Sequence, residues 1–272
     1  MTTLPGFFNN TLTLRTITFN KYHGTGNDFI IIDNRNALFN PGNSSNIREI
    51  CDRRTGIGAD GLILIEGSED HDFEMRYYNS DGYESTLCGN GGRCAADFAI
   101  RAGIADKKMT FRAADGTHYA IAEGGIIRLQ MNDVNRISII MNNYFINTGS
   151  PHYILFRDNI NTIDVSSEGK AIRWADYLPE GGANVNFAEV TGNKLFVRTY
   201  ERGVEEETLS CGTGVTASAI AAVISGHFDR IPVNVLTRGG ELNVRFRVEG
   251  DTITDIWLSG PATFVFKGEI DI

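Results

Sequence analysis

Two cysteines in matched settings are where this chain could do chemistry. Cys88 opens the run Cys88-Gly89-Asn90-Gly91-Gly92-Arg93-Cys94, and Cys211 opens Cys211-Gly212-Thr213-Gly214. Each glycine-rich turn runs into small and apolar residues: Ala95, Ala96, Phe98 and Ala99 after the first, Ala217, Ala219, Ile220 and Ala221 after the second. Stretches this rich in alanine, apolar on nearly every face, read as buried helices. Cys88 and Cys211 then sit at or just before helix N-termini, where unpaired N–H groups and the positive dipole end favour a thiolate over a thiol. The same N–H groups are donors for a carboxylate. A thiolate and a thiol in one cleft can invert a stereocentre: one removes a proton from one face of a carbon while the other delivers a proton to the opposite face.

The elements that must hold such a pair are read from pattern. A strand over Thr16 to Tyr22 breaks at His23-Gly24-Thr25-Gly26-Asn27-Asp28 and resumes as the apolar strand Phe29 to Ile32. A helix around Ile47 to Arg53 follows, then strands over Leu62 to Glu66 and Asp72 to Tyr78, with a turn at Asn79-Ser80-Asp81-Gly82. After Arg101 the pattern is mostly short strands with Asp-Gly and Gly-Gly punctuation, apart from a weakly helical stretch at Ser166 to Asp176 and the second cysteine helix.

The two halves repeat. Cys211 stands 123 positions after Cys88, and Gly149 of Thr-Gly-Ser-Pro-His stands 123 after Gly26 of Thr-Gly-Asn-Asp-Phe. Asn184 follows Asp60 by 124, and Tyr200 follows Tyr78 by 122. Four anchors in one order, drifting by a residue or two, define an internal duplication. The fold class expected is α+β: two pseudo-symmetric halves, each a β-sheet wrapped around a central buried helix. Residues 15–133 form the first half and 134–261 the second, and residues 1–14 are expected to be a disordered leader or an appended extension. Both helix N-termini should face a shared cleft, a preferred place for a small-molecule site.

Composition narrows the function. With 272 residues, 42% of them hydrophobic, the chain can bury a core in each half. A formal charge of −9 argues against nucleic acid or an anionic membrane surface as a partner. No apolar run reaches transmembrane length, Met1 to Asn10 lacks the features of a signal peptide, and four cysteines are too few for a disulfide scaffold. The expected setting is the cytoplasm.

The constellation resembles the diaminopimelate epimerase family, whose members need no pyridoxal phosphate. The matching stretches are His23 to Phe29, Arg54 to Gly61, Tyr78 to Gly82, Cys88 to Cys94, Gly149 to His152, Asn184 to Phe187, and Glu201-Arg202-Gly203 with Cys211 to Gly214. They run in the family's order over essentially the whole chain after the leader. The resemblance implies interconversion of LL- and meso-2,6-diaminopimelate without cofactor or metal, by a homodimer, in lysine and cell-wall precursor biosynthesis. It implies that Cys88 and Cys211 are the acid–base pair, with His152 and Glu201 assisting proton transfer. Asn27, Asn79, Asn184, Glu201 and Arg202 would bind the substrate, Arg202 pairing with the distal carboxylate. Gly89, Asn90, Gly212 and Thr213 would cradle the α-carboxylate. It also implies that residues 262–272 return to the first half. The chain departs from the commoner pattern at Ser150, where many members have asparagine, and at Gly61, where some have glutamine.

Each residue also has a plainer reading. Cys51 and Cys94 read as packing residues. A zinc site would need a Cys-x-x-Cys spacing that does not occur, and His152 alone does not complete a tetrahedral set. His71, His118 and His227 read as surface residues, and Asp60 and Asp81 as turn formers. A cysteine hydrolase with His152 as base would leave the second matched cysteine without a role. A binding module would need neither thiol. A proline-type racemase would not need the distal clamp of Asn79, Asn184 and Arg202.

Overall fold

The structure, a computed structural model, describes residues 15–42 and 44–272. The leader expected at residues 1–14 lies outside them.

The first half runs β1 (Thr16–Gly24), β2 (Asn27–Asp33), α1 (Ser44–Cys51), β3 (Gly61–Glu66), β4 (Phe73–Asn79), β5 (Glu84–Ser85), α2 (Gly89–Arg101), β6 (Lys108–Ala113), β7 (Gly116–Glu123) and β8 (Ile126–Gln130). The second runs β9 (Ile137–Ile140), β10 (Asn143–Asn147), β11 (Pro151–Phe156), a 3-10 turn at Ile160–Thr162, α3 (Val165–Arg173), β12 (Asn184–Thr191), β13 (Lys194–Glu201), β14 (Glu206–Thr208), α4 (Gly212–Ile224), β15 (Val233–Thr237), β16 (Gly240–Glu249) and β17 (Thr252–Gly260). The last strand is β18 (Thr263–Asp271).

The duplication is visible strand by strand. Reading β1-β2-β3-β4-β6-β7-β8, the pairings are antiparallel, parallel, antiparallel, parallel, antiparallel, antiparallel. Reading β10-β11-β12-β13-β15-β16-β17 gives the same series. β18 lies antiparallel on β1, the place that β9 holds on β10. The halves join where β8 pairs antiparallel with β17, Leu129 opposite Leu258.

Each half of the continuous sheet curls around one helix. In α2 Cys94, Ala95, Ala96 and Ala99 are 0% exposed, and in α4 Val215, Ala217, Ala219, Ile220, Ala221 and Ala222 likewise. Small side chains let strands approach the helix from several sides, which explains the near absence of a polar face. The continuous apolar runs of β2 and β3 have a second cause. Ile31, Ile63 and Ile65 face the central core, while Ile30, Ile32, Leu62 and Leu64 face an outer one closed by Ile47 and Ile50 of α1. Strands covered on both faces lose the polar alternation. α3 closes the matching outer core of the second half against Val185, Phe187 and Tyr200.

Helix ends differ slightly from expectation, with α1 ending at Cys51 rather than Arg53 and α3 spanning Val165–Arg173. His118 is not a surface residue. It is 3% exposed, its ring lies 5.5 Å from that of Phe111, and Nε2 faces Asp115 Oδ1 at 3.1 Å.

Candidate active site

Cys88 and Cys211 are the N-cap residues of α2 and α4, both in extended backbone (φ −90°, ψ 121° and φ −116°, ψ 111°). The first bonds back to them are Gly92 N–H to Cys88 O at 2.7 Å and Val215 N–H to Cys211 O at 2.9 Å. The N–H groups of Gly89, Gly212 and Thr213 make no backbone hydrogen bond among the described residues, as first-turn donors do not, while those of Asn90 and Gly91 are turned to Cys88 Sγ.

The two helix starts touch. A Cβ built on Gly212 would stand 3.4 Å from Gly89 Cα and 3.5 Å from Asn90 N, in van der Waals contact with the other helix start, and 3.0 Å from Leu258 Cδ2, which would have to give way. Leu258, from the strand that joins the halves, packs under both glycines. The loops leading to the cysteines are tethered alike. Arg76 on β4 makes two hydrogen bonds to Glu84, at 3.0 and 2.8 Å, and Arg198 on β13 makes two to Glu207, both at 2.7 Å. Paired contacts of this kind fix direction as well as distance.

A buried network crosses from one loop to the other. Arg93, 0% exposed, donates to Gly89 O (3.0 Å) and Asn90 Oδ1 (2.9 Å). That orients the Asn90 amide so that Nδ2 donates to Asn27 Oδ1 (3.2 Å) and to the carbonyl of Ser210 (3.0 Å), the residue before Cys211. Asn27 in turn donates to Asp60 Oδ2 at 2.6 Å, and its Oδ1 accepts from Cys88 Sγ at 3.5 Å. Asp60 is held by Arg53 at 2.7 Å. Asp60 is thus more than the turn former its local sequence suggests, since it sets the rotamer of the asparagine beside Cys88. Arg93 and Ser210 went unread because their partners are brought in by the fold.

In the second half His152 is fully buried on β11. Asn186 Nδ2 lies 3.1 Å from His152 Nδ1, and Asn186 Oδ1 accepts from Thr199 Oγ1 at 2.9 Å. That orientation makes Nδ1 the acceptor and puts the ring proton on Nε2, which has no partner among the described residues. Burial, with the Arg202 charge, lowers the His152 pKa to about 3, so the ring is neutral. Glu201, at the end of β13, accepts from Thr208 Oγ1 at 2.9 Å, and burial raises its pKa to about 7. Asn184 is fully engaged: Nδ2 donates to Ser150 Oγ and Pro151 O, and Oδ1 accepts the Arg202 N–H. Asn79 and the guanidinium of Arg202 make no side-chain hydrogen bond among the described residues, and Arg202 is exposed. Thr213 Oγ1 lies 3.4 Å from Cys211 Sγ.

The thiols differ from the expectation based on helix ends. Burial raises Cys88 to about 11, against the lowering effect of the Gly91 and Asn90 N–H groups and Arg93, with Glu201 adding to the rise. Cys211 is pushed higher still by burial, Glu201 and Cys88, while Thr213 and the Gly214 N–H pull it down. The helix-end donors act in the expected direction, but desolvation by burial outweighs them.

The duplicated sheet with a thiol pair at paired helix starts defines a class. A PhzF-family phenazine biosynthesis protein of Bacillus anthracis superposes over 95% of this chain and 100% of its own with a TM-score of 0.76 at 16% identity. A probable proline racemase of Agrobacterium radiobacter superposes over 93% of this chain and 92% of its own with a TM-score of 0.70 at 15% identity. At that identity the likeness is one of fold. Within this fold the sequence is specific. The family model for diaminopimelate epimerase matches residues 19–139 and 144–265. The diaminopimelate epimerase of Flavobacterium psychrophilum is 52% identical over 92% of this chain and 98% of its own length, and that of Chlorobaculum tepidum 44% identical over 92% and 99%. The chain belongs to the diaminopimelate epimerase family, and it is an isomerase.

Proposed function

We infer that this chain interconverts LL- and meso-2,6-diaminopimelate at one α-carbon by proton transfer between Cys88 and Cys211. The observation that carries the reading is the contact of the two helix starts, each capped by a cysteine. A substrate α-carboxylate received by the helix-start N–H groups of Gly89, Asn90, Gly212 and Thr213 would have its α-carbon between the two sulfurs. One thiolate removes the α-proton and becomes a thiol. The other thiol donates its proton to the opposite face and becomes a thiolate. The negative charge that develops meanwhile spreads into the carboxylate, where the N–H donors and dipole ends stabilise it.

The Glu201 charge bears on both sulfurs, and its carboxyl, held near 7, keeps a proton to lower acidity than an ordinary glutamate and assists the proton transfer. Neutral His152 offers Nε2–H as a donor. Arg202 and Asn79 are free to take the distal carboxylate, while Asn27 and Asn184 hold the walls that contact it. The reading places the enzyme in lysine and cell-wall precursor biosynthesis, in the cytoplasm, as a homodimer. No helix of the described residues is long and apolar enough to cross a membrane. The dimer finds support on β18, where Phe264, Val265 and Phe266 are 38%, 51% and 45% exposed beside an outer edge that pairs with nothing among the described residues.

The test is a stereochemical assay of LL- to meso-conversion under full reduction. Cys88→Ala and Cys211→Ala should each lose at least about a thousandfold in kcat, since either deletion removes the acid or the base for one face. A variant that keeps substantial activity would assign the chemistry to one thiol alone.

A further inference from the structure

The cleft contains a polar group that no motif of the sequence points to. Tyr77 precedes Tyr78 on β4, and alternation turns the two to opposite faces: Tyr77 joins Phe73 and Met75 in the central core, Tyr78 the outer one. The Tyr77 ring packs edge-on against Phe29, with centroids 6.0 Å apart. Its far end lies over the backbone of Gly61. A Cβ there would stand 2.5 Å from the backbone oxygen of Tyr78, 2.6 Å from Tyr77 Cε2 and 3.1 Å from Oη, so a side chain at 61 would displace both the β4 backbone and this tyrosine.

Oη is thereby set over Gly61, next to Asp60, whose carboxylate holds the Asn27 amide that accepts from Cys88. It makes no hydrogen bond to any described residue. The sealed, unpartnered polar atoms of the described residues are Tyr78 Oη, His152 Nε2, Arg173 Nε and Ser218 Oγ. Tyr77 Oη is not one of them, so it has no partner and yet opens to solvent, although the residue as a whole is only 9% exposed. The groups whose charge it meets are Cys88, Glu201 and Asp60, with Cys51 behind, and burial among them holds the phenol un-ionised. An unpartnered O–H donor on a residue only 9% exposed, set beside the Asp60–Asn27–Cys88 chain of contacts, calls for an acceptor. The strong acceptors of a zwitterionic diamino-dicarboxylate are its carboxylate oxygens.

We propose that Tyr77 is a further substrate-contacting residue, whose phenol O–H donates to a carboxylate oxygen of the diamino-dicarboxylate bound beside Cys88. The assignment rests on the epimerase reading of the cleft. It makes Tyr77, with Gly61 as its enabling neighbour, a determinant of substrate binding in this chain.

Tyr77→Phe tests it, because the ring and its packing on Phe29 stay while Oη alone is lost. Steady-state kinetics with LL- and meso-diaminopimelate should show kcat/KM lowered roughly 10- to 100-fold, the range for a hydrogen bond to a charged group, with an unchanged melting midpoint. Tyr78→Phe, which removes the same group from the opposite face, should match the wild type in kcat/KM. A Tyr77→Phe enzyme with wild-type kcat/KM would overturn the proposal. So would a loss accompanied by a lowered melting midpoint, which would make Tyr77 a packing residue. A wild-type enzyme inactive on both isomers would instead contradict the epimerase reading itself, and this assignment with it.

Discussion

Glu201 and His152 sit in environments that shift them in ways that oppose their charged forms. Glu201, ordinarily near 4.5, is held near 7, so the folded protein keeps a proton that the unfolded chain releases. The stability this contributes is complete below about pH 4.5 and is lost as the pH rises through about 7. His152, near 3 in the fold, contributes in the other direction, its share being lost as the pH falls from about 6.5 towards 3. The difference between wild type and Glu201→Gln isolates the carboxyl. Thermal unfolding of both across pH 4.5 to 8 should show the wild type losing on the order of 2–3 kcal/mol relative to the variant. Parallel curves would mean that Glu201 is not desolvated as described. The thiol shifts belong to the same scale. The sequence places two cysteines at helix starts, but how far burial counteracts the dipole depends on walls contributed by distant strands. That is why the direction of the thiol shifts could not be read from the motifs.

Helices α2 and α4 are the elements that turn a sequence repeat into a site. Gly214, in the first turn of α4, lies against His152: a Cβ there would stand 2.4 Å from Asn186 Oδ1 and 3.3 Å from the imidazole. Gly214→Ala must push the helix start away from the histidine or break the Asn186 bridge that sets its tautomer. The expected result is a stability loss of about 1–3 kcal/mol together with a kcat lowered at least tenfold, by comparison of chemical denaturation with turnover. Wild-type kcat in a folded variant would show that the His152–helix contact does not matter to the reaction. At this scale much was legible. The alanine runs announced buried helices, and the runs Phe29 to Ile32 and Leu62 to Glu66 announced strands. The cross-links were not legible: Asn90 to Ser210 spans 120 positions and Asn27 to Asp60 spans 33. His118 was misread because its cover, Phe111, comes from the neighbouring strand rather than from its own.

At the scale of the whole molecule, duplication answers the stereochemical problem. Inverting a carbon needs acid and base on opposite faces, and two copies of one half, joined at β8 and β17, bring two equivalent helix starts to one point. The outer edge of β18 is the matching feature on the surface. If that edge is where two copies meet, Val265→Lys, at a residue 51% exposed, should shift the protein from dimer to monomer by light scattering while the fold persists. A dimer that survives the change would move the interface elsewhere. The most direct test of the account is deuterium uptake at the α-carbon. Reduced enzyme and LL-diaminopimelate in deuterium oxide should give meso product labelled at the inverted carbon, because the proton delivered comes from a thiol that has exchanged with solvent. Cys88→Ala and Cys211→Ala should form no meso product. Meso product that keeps the original hydrogen, or inversion that persists without one of the thiols, would contradict the two-thiol account.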